Sequence, residues 1–282
     1  MQIPDLQFKS GKNFNMKSVL LIAFIIILFS FRNSAQNIED PVSYMNWKNI
    51  VLNNEASFEN SGELSWGSGF LIQLNNSIIA CTARDFTGTT YTHGEMLMIK
   101  DFEKELKYWK MYISDKPDQF VMMDSLFMKS RIEKSYGIFL YSMPFLTFTI
   151  KEMNESVTPL IPNMQKIRNR DTLFLVGYDD NHNLKLIQGI VETALNEKYA
   201  DTEIRIKTNI FMYYQNFVGG PIVDKNGNVI GVINRAYRLN KNKKGKIIRD
   251  DKNDDGSYFE YFVNGTSIKA ILGKDYEKKT GI

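Results

Sequence analysis

Short apolar runs alternate with clusters of Gly, Asn, Asp and Pro along most of the chain, and long helical periods are scarce. In the first half the segments LSWGSGFLIQL (64–74), NSIIACTA (76–83), EMLMI (95–99), LKYWKMYIS (106–114) and YGIFLYSM (136–143) read as strands. In the second half TLFLVGYDD (172–180), LKLIQGIVETAL (184–195), TEIRIKT (202–208), GPIVD (220–224), NVIGVINRAY (228–237) and SYFEYFVNG (257–265) continue the pattern. Regular turns between such runs predict an all-β barrel or sandwich. Two segments depart from it. EDPVSYMNWKNIVLNN (39–54) reads as a short amphipathic helix, capped by Asp40, with Pro41 in its first turn and Val42, Met45, Asn49 and Leu52 along one face. NGTSIKAILG (264–273) predicts a final short helix, capped by Thr266 or Ser267 and stopped at Gly273. PLIPNMQKIRN (159–169), with two prolines, is the expected connector between the β halves.

The N-terminal 35 residues change how the charge is read. Lys17 precedes the apolar run SVLLIAFIIILFSF (18–31), which has signal-peptide length, and Ala35 is a suitable last residue before cleavage. Met16 is then the expected start, and an uncleaved membrane anchor is the alternative. Without residues 1–35 the Lys plus Arg count falls from 35 to 31 and Asp plus Glu from 32 to 31, so the net charge falls from +3 to zero. No basic surplus remains to call for nucleic acid, and membrane contact is expected only if the leader stays attached. The expected location is periplasmic or extracellular. A single cysteine, Cys81, excludes an internal disulfide, and its place in SIIACTA suggests a buried small hydrophobe. The 43 % hydrophobic content is enough for a real core.

Candidate chemistry centres on QNFVGGPIVDKNGNVIGVI (215–233), a Gly-Gly-Pro turn, a short strand, an Asn-Gly hairpin turn and a second strand. With GSGFLI (67–72), IIACTARDF (78–86), SYGIFLYSM (135–143), LFLVGY (173–178) and IQGIV (187–191), in that order, the chain resembles the trypsin-like serine peptidases, in particular their exported bacterial branch. The resemblance covers about residues 66–272. It implies two six-stranded antiparallel β-barrels with a short C-terminal helix, the first over 57–160 and the second, with the helix, over 161–282, after an N-terminal helical extension at 36–56. It also assigns the catalytic positions. The base position, T-A-x-H in the family, holds Asp85; the orienting carboxylate position falls on Ser135; the nucleophile position holds Val218. None of the three can play its part in a triad, which needs an imidazole base, a carboxylate and an attacking hydroxyl. Gly219, Gly220 and Pro221 keep the turn that in active relatives aims N–H groups at the oxyanion.

The resemblance therefore implies a non-catalytic scaffold that binds protein or peptide. In active relatives the substrate adds as a strand to the segment matching Asn234, Arg235, Ala236 and Tyr237, and Met212 would lie at the base of the specificity pocket. The alternative is a serine-type hydrolase with a rearranged site, for instance His93 with a distant hydroxyl. His93 and His182 otherwise read as turn residues. DKNDDG (251–256) offers Asp251, Asn253 and Asp255 as a weak calcium candidate, but Phe262 stands where a bidentate glutamate belongs, so a solvated hairpin tip is the default. No cofactor is expected.

Overall fold

The computed structural model describes residues 41–59, 62–65, 67–84, 99–127, 144–179, 181–192, 203–211, 215–247 and 257–273. The leader, Asp85, His93, Ser135, Met212 and the 251–256 loop lie outside the described residues. Among the described residues no helix is long and apolar enough to cross a membrane.

Seven strands build the first barrel: β1 (Leu52–Phe58), β2 (Gly62–Leu64), β3 (Ser68–Gln73), β4 (Ile78–Ala83), β5 (Leu106–Ile113), β6 (Lys116–Leu126) and β7 (Phe145–Met153). Their antiparallel order is β1-β3-β4-β7-β6-β5, and β5 returns to pair with β1, so six strands form a closed ring with β2 as a short flap on β1. Helix α1 (Ile99–Glu105) precedes β5 and supplies Phe102 to the interior. There Phe58, Phe102, Trp109 and Phe148 form one aromatic cluster, with the Trp109 and Phe148 rings 4.8 Å apart. The second barrel comprises β8 (Thr172–Tyr178), β9 (Leu184–Glu192), β10 (Glu203–Thr208), β11 (Pro221–Val223), β12 (Val229–Lys241) and β13 (Tyr258–Ser267), closed in the order β10-β13-β12-β11-β8-β9. The architecture expected from the trypsin-like resemblance is therefore present: two closed six-stranded antiparallel barrels.

Burial explains the texture of the sequence. β9 faces solvent on one side, and it alternates, with Ile187, Gly189 and Val191 inside and Gln188 and Ile190 outside. β3, β4 and the first half of β12 are buried on both faces and read as nearly continuous apolar runs, interrupted in β3 and β4 by Ser68, Gln73 and Thr82. In β12, Ile230 and Ile233 fill the second barrel, whereas Val229 and Val232 turn outward into a seam shared with Phe70, Ile72, Cys81 and Phe145 of the first. The predicted connector is stitched into this seam. Leu160 bridges Ile72, and Pro162 bridges Val229 on the other side. Helix α2 (Ile268–Leu272) closes it with Ile268, Ile271 and Leu272. Its cap is Ser267, whose Oγ accepts from the Lys269 N–H at 3.2 Å, and Gly273 ends it at φ 77°. Cys81 is fully buried, and that burial pushes its thiol pKa far up.

Three expectations need correction. The helix predicted across 39–54 is two isolated 3₁₀ turns, Pro41–Tyr44 and Trp47–Asn49, and β1 starts at Leu52. The helical extension at 36–56 thus gives way to strand inside its own range, and the first barrel begins before residue 57. The Trp47 indole N–H donates to the Val42 carbonyl at 2.8 Å, closing a compact loop, and Ile50, Val51 and Leu52 are each at most 2 % exposed. Burial on every side, not on one helical stripe, is what these apolar residues satisfy. Ile99, read as part of a strand, opens α1 instead. Strands β1, β6 and β7 are absent from the sequence reading. β6 begins Lys-Pro-Asp-Gln and shifts register twice against β7, which blurs its alternation.

Candidate functional site

The turn that carries Val218 is built from both barrels. A 3₁₀ turn, Gln215–Phe217, leads into it, and Phe217, 1 % exposed, anchors it in the core of the second barrel. Gly177 on β8 has no room for a side chain because the Phe217 ring occupies that space. The Gly219 N–H donates to the Ile233 carbonyl at 2.8 Å, and the Ile233 N–H returns a bond to the Gly220 carbonyl at 2.9 Å. The Gly220 N–H donates to the Phe217 carbonyl at 3.0 Å. The Gly219 N–H is therefore used against β12 and the Gly220 N–H within the turn. The Val218 side chain is half-buried and packs on the apolar seam between the barrels.

From the first barrel, the Ser68 N–H donates to the Val218 carbonyl at 2.7 Å, and Ser68 Oγ donates to the Asn216 carbonyl. Thr82 Oγ1 donates to the Ser68 carbonyl at 2.7 Å and accepts from Asn54 Nδ2 at 3.1 Å. Trp109 Nε1 completes the line by donating to Asn54 Oδ1 at 3.0 Å. Asn54, Ser68 and Thr82 are wholly buried, so every polar atom in this relay has to find its partner within the protein. Gly219, at φ 89°, lies so close that a Cβ there would stand 1.9 Å from the Ser68 carbonyl oxygen. The sequence reading missed this relay. Its signal was Ser68 and Thr82 inside otherwise mainly apolar strands, and the buried Asn54 within β1.

Replacing Asn54 with Leu removes both bridging bonds and strands the Trp109 N–H in the core. We expect a loss of about 2–3 kcal/mol, read as a lower urea midpoint with an unchanged slope. An Asn54→Leu chain as stable as the parent would show that the relay contributes nothing.

The structure places the sequence-predicted residues as follows. The end of β4 reaches the Val218 turn, since Thr82 Oγ1 lies 2.6 Å from where a Gly219 Cβ would be. Asp85, three residues further on, and Ser135 are outside the described residues, as is Met212. Asn234 sits at a bulge of β12, where pairing with β13 shifts between Ile233 and Arg235, and its Nδ2 donates to Thr266 Oγ1 at 2.8 Å. Arg235 is exposed, and Ala236 and Tyr237 are half-buried. Along one edge β12 pairs with β13 from Gly231 to Lys241. Along the other it pairs with β11 only as far as Val232, followed by the Gly219–Ile233 bonds. Beyond that point no strand among the described residues covers the edge from Asn234 to Asn240, apart from an isolated bridge further on between Lys241 and Ile247. His182 is an exposed turn residue at φ 57°, in a loop organised by Asp179, whose Oδ1 accepts from the Asn181 and Asn183 N–H groups at 2.9 Å each. Among the described residues no cluster of three metal-binding side chains occurs.

Further along the same hairpin, Glu260 accepts from Lys207 Nζ at 2.8 Å and pairs with Lys241. The Lys207 bond first, then that from Lys241, holds the Glu260 carboxyl below its ordinary range. A depressed carboxylate contributes stability that is present above its unfolded value and is lost as pH falls through its folded value. Glu260→Gln should therefore lower stability at pH 7 by at most about 1 kcal/mol, because the lysines reach solvent, read as a lower melting temperature. The gap should close in acid. A gap that stays constant down to acid pH would remove Glu260 as its source.

No protein-family model matches the chain, and no curated protein does. Among solved structures, it is similar to the Rv3671c protease in its inactive form, at 15 % identity over 88 % of this chain and 97 % of that one, with a TM-score of 0.47. The active form of the same protease, from M. tuberculosis, aligns at 14 % identity over 85 % of this chain and 84 % of that one, with a TM-score of 0.49. The HtrA-type protease AlgW with tripeptide aligns at 15 % identity over 83 % of this chain and 60 % of that one, with a TM-score of 0.46.

Proposed function

We propose that the chain is an exported, non-catalytic protein on a trypsin-like two-barrel scaffold, and that it binds an extended protein or peptide segment by strand addition to β12. One observation carries the reading: beside the Val218 turn, the edge of β12 from Asn234 to Asn240 is left unpaired among the described residues. A strand edge offers a row of N–H and C=O groups that an extended segment satisfies without any catalytic group. Asn234, Arg235, Ala236 and Tyr237 form the start of that edge. The absence of a nucleophile in the turn supports the non-catalytic half. Val218 has no heteroatom, and the hydroxyls nearest to it in the relay, on Ser68 and Thr82, are buried and already donate to carbonyls.

Hydrogen exchange tests the binding half. A bound extended peptide should slow exchange of amides in 234–240, and N-methylation at alternate peptide residues should abolish the effect. Protection confined to another surface would refute strand addition at β12.

A further inference from the structure

We propose that the segment β12 receives is acidic, with two carboxylates three residues apart, one meeting Arg235 and the other Arg238. This rests on the strand-addition reading above and names the chemistry of its ligand.

The open stretch reads Asn-Arg-Ala-Tyr-Arg-Leu-Asn from 234 to 240 and carries two cations and no carboxylate. The two arginines lie on opposite faces of the strand, as their ring contacts show. Arg235 sits over Tyr237, 5.8 Å from the ring centre, on the face that also holds Arg205 and Phe262. Arg238 sits over Phe259 at 4.7 Å and Phe211 at 5.6 Å on the other face. Stacking fixes each guanidinium plane and leaves its N–H edge for a carboxylate, which arginine binds in a paired fork. Both side chains are exposed, and neither makes an ion pair among the described residues.

Among the described residues, nearby carboxylates are engaged elsewhere. Glu260 is held by Lys207 and Lys241, Glu203 accepts from Asn264 Nδ2 at 2.9 Å, and Glu192 faces Arg205 Nε at 4.0 Å. Both ends of the open stretch also hold unsatisfied polar atoms. Asn234 Oδ1 and both polar atoms of the Asn240 carboxamide are buried without a hydrogen bond. Orphaned groups of this kind call for a partner, and an added strand brings N–H and C=O groups along this edge.

The spacing follows from strand geometry. An added strand runs about 4.8 Å from β12, and its side chains alternate in step with those of β12. Positions 235 and 238, three apart, point to opposite faces, so the facing residues on the ligand are also three apart. The recognised pattern is Asp or Glu, two residues of either kind, then Asp or Glu.

Fluorescence anisotropy on the full mature chain tests this with three labelled nine-residue Thr/Val peptides. One carries Asp and Glu at that spacing, one Asn and Gln, and one two lysines. The acidic peptide should bind on the order of tenfold more tightly than the neutral one at low salt, the sum of two exposed pairs. The advantage should shrink as salt rises. In an Arg235→Glu/Arg238→Glu variant with an unchanged circular dichroism spectrum, the preference should pass to the lysine peptide. Equal binding of acidic and neutral peptides by the unmodified chain would overturn the charge assignment and leave strand addition standing. No binding by any of the three would overturn both.

Discussion

Given peptide or ester substrates, the purified chain is expected to show no turnover, and a serine-directed fluorophosphonate should leave it unlabelled. Acyl transfer needs a lone pair to attack with, a base to take its proton and donors for the oxyanion. The Val218 side chain supplies none. In enzymes built for this reaction, loss of the triad costs on the order of 10⁶-fold in turnover, and its members act as a unit. Val218→Ser alone is therefore expected to stay inactive if, as the resemblance implies, Asp85 stands at the base position and Ser135 at the orienting position. Stoichiometric labelling of the unmodified protein would overturn this expectation and favour a rearranged hydrolase. Loss of that label in a His93→Gln variant would then identify the base.

Gly219→Ala is expected to abolish folding at ordinary temperature. The added methyl would stand 1.9 Å from the Ser68 carbonyl oxygen and 2.6 Å from Thr82 Oγ1, distances that no Cβ tolerates. Neither obstacle is a flexible side-chain end, since both belong to strands pinned by the Asn54–Trp109 relay. The φ of 89° adds strain that glycine alone avoids. Together they should cost more than about 4 kcal/mol, a large share of a domain's stability. Gly245→Ala separates the two causes. It shares a positive φ, 77°, but a methyl there meets nothing closer than the Tyr258 hydroxyl at 3.8 Å. That variant should lose only about 1–2 kcal/mol. Matching urea midpoints for the two variants would mean that the contact with the first barrel is not what requires glycine.

The proposed strand addition would give the two-barrel scaffold a use that does not depend on a triad. The Val218 turn, the relay beneath it and the β12 bulge at Asn234 are continuous. The turn's bonds to Ile233 mark where β11 stops covering β12 and where the edge left unpaired among the described residues begins.

Much of this was legible in the sequence. Short apolar runs broken by Gly, Asn and Pro specify strands and turns locally, because alternation and turn chemistry act within a few residues. Hence the β class, the connector at 159–169 and the Gly273 stop could be read directly, the cap was narrowed to Thr266 or Ser267, and the order of motifs pointed to two barrels. Tertiary structure alone decided the rest. Whether 39–54 coils or extends depends on how Val42, Trp47, Ile50 and Val51 are enclosed by both barrels, which no local periodicity encodes. Nor could the sequence reveal that Asn54, Thr82 and Ser68, brought together from three strands, hold the Val218 turn in place. Hydrogen bonds between residues far apart in the chain exist only once closure of the sheets has brought them within 3 Å and excluded the water that would otherwise satisfy them.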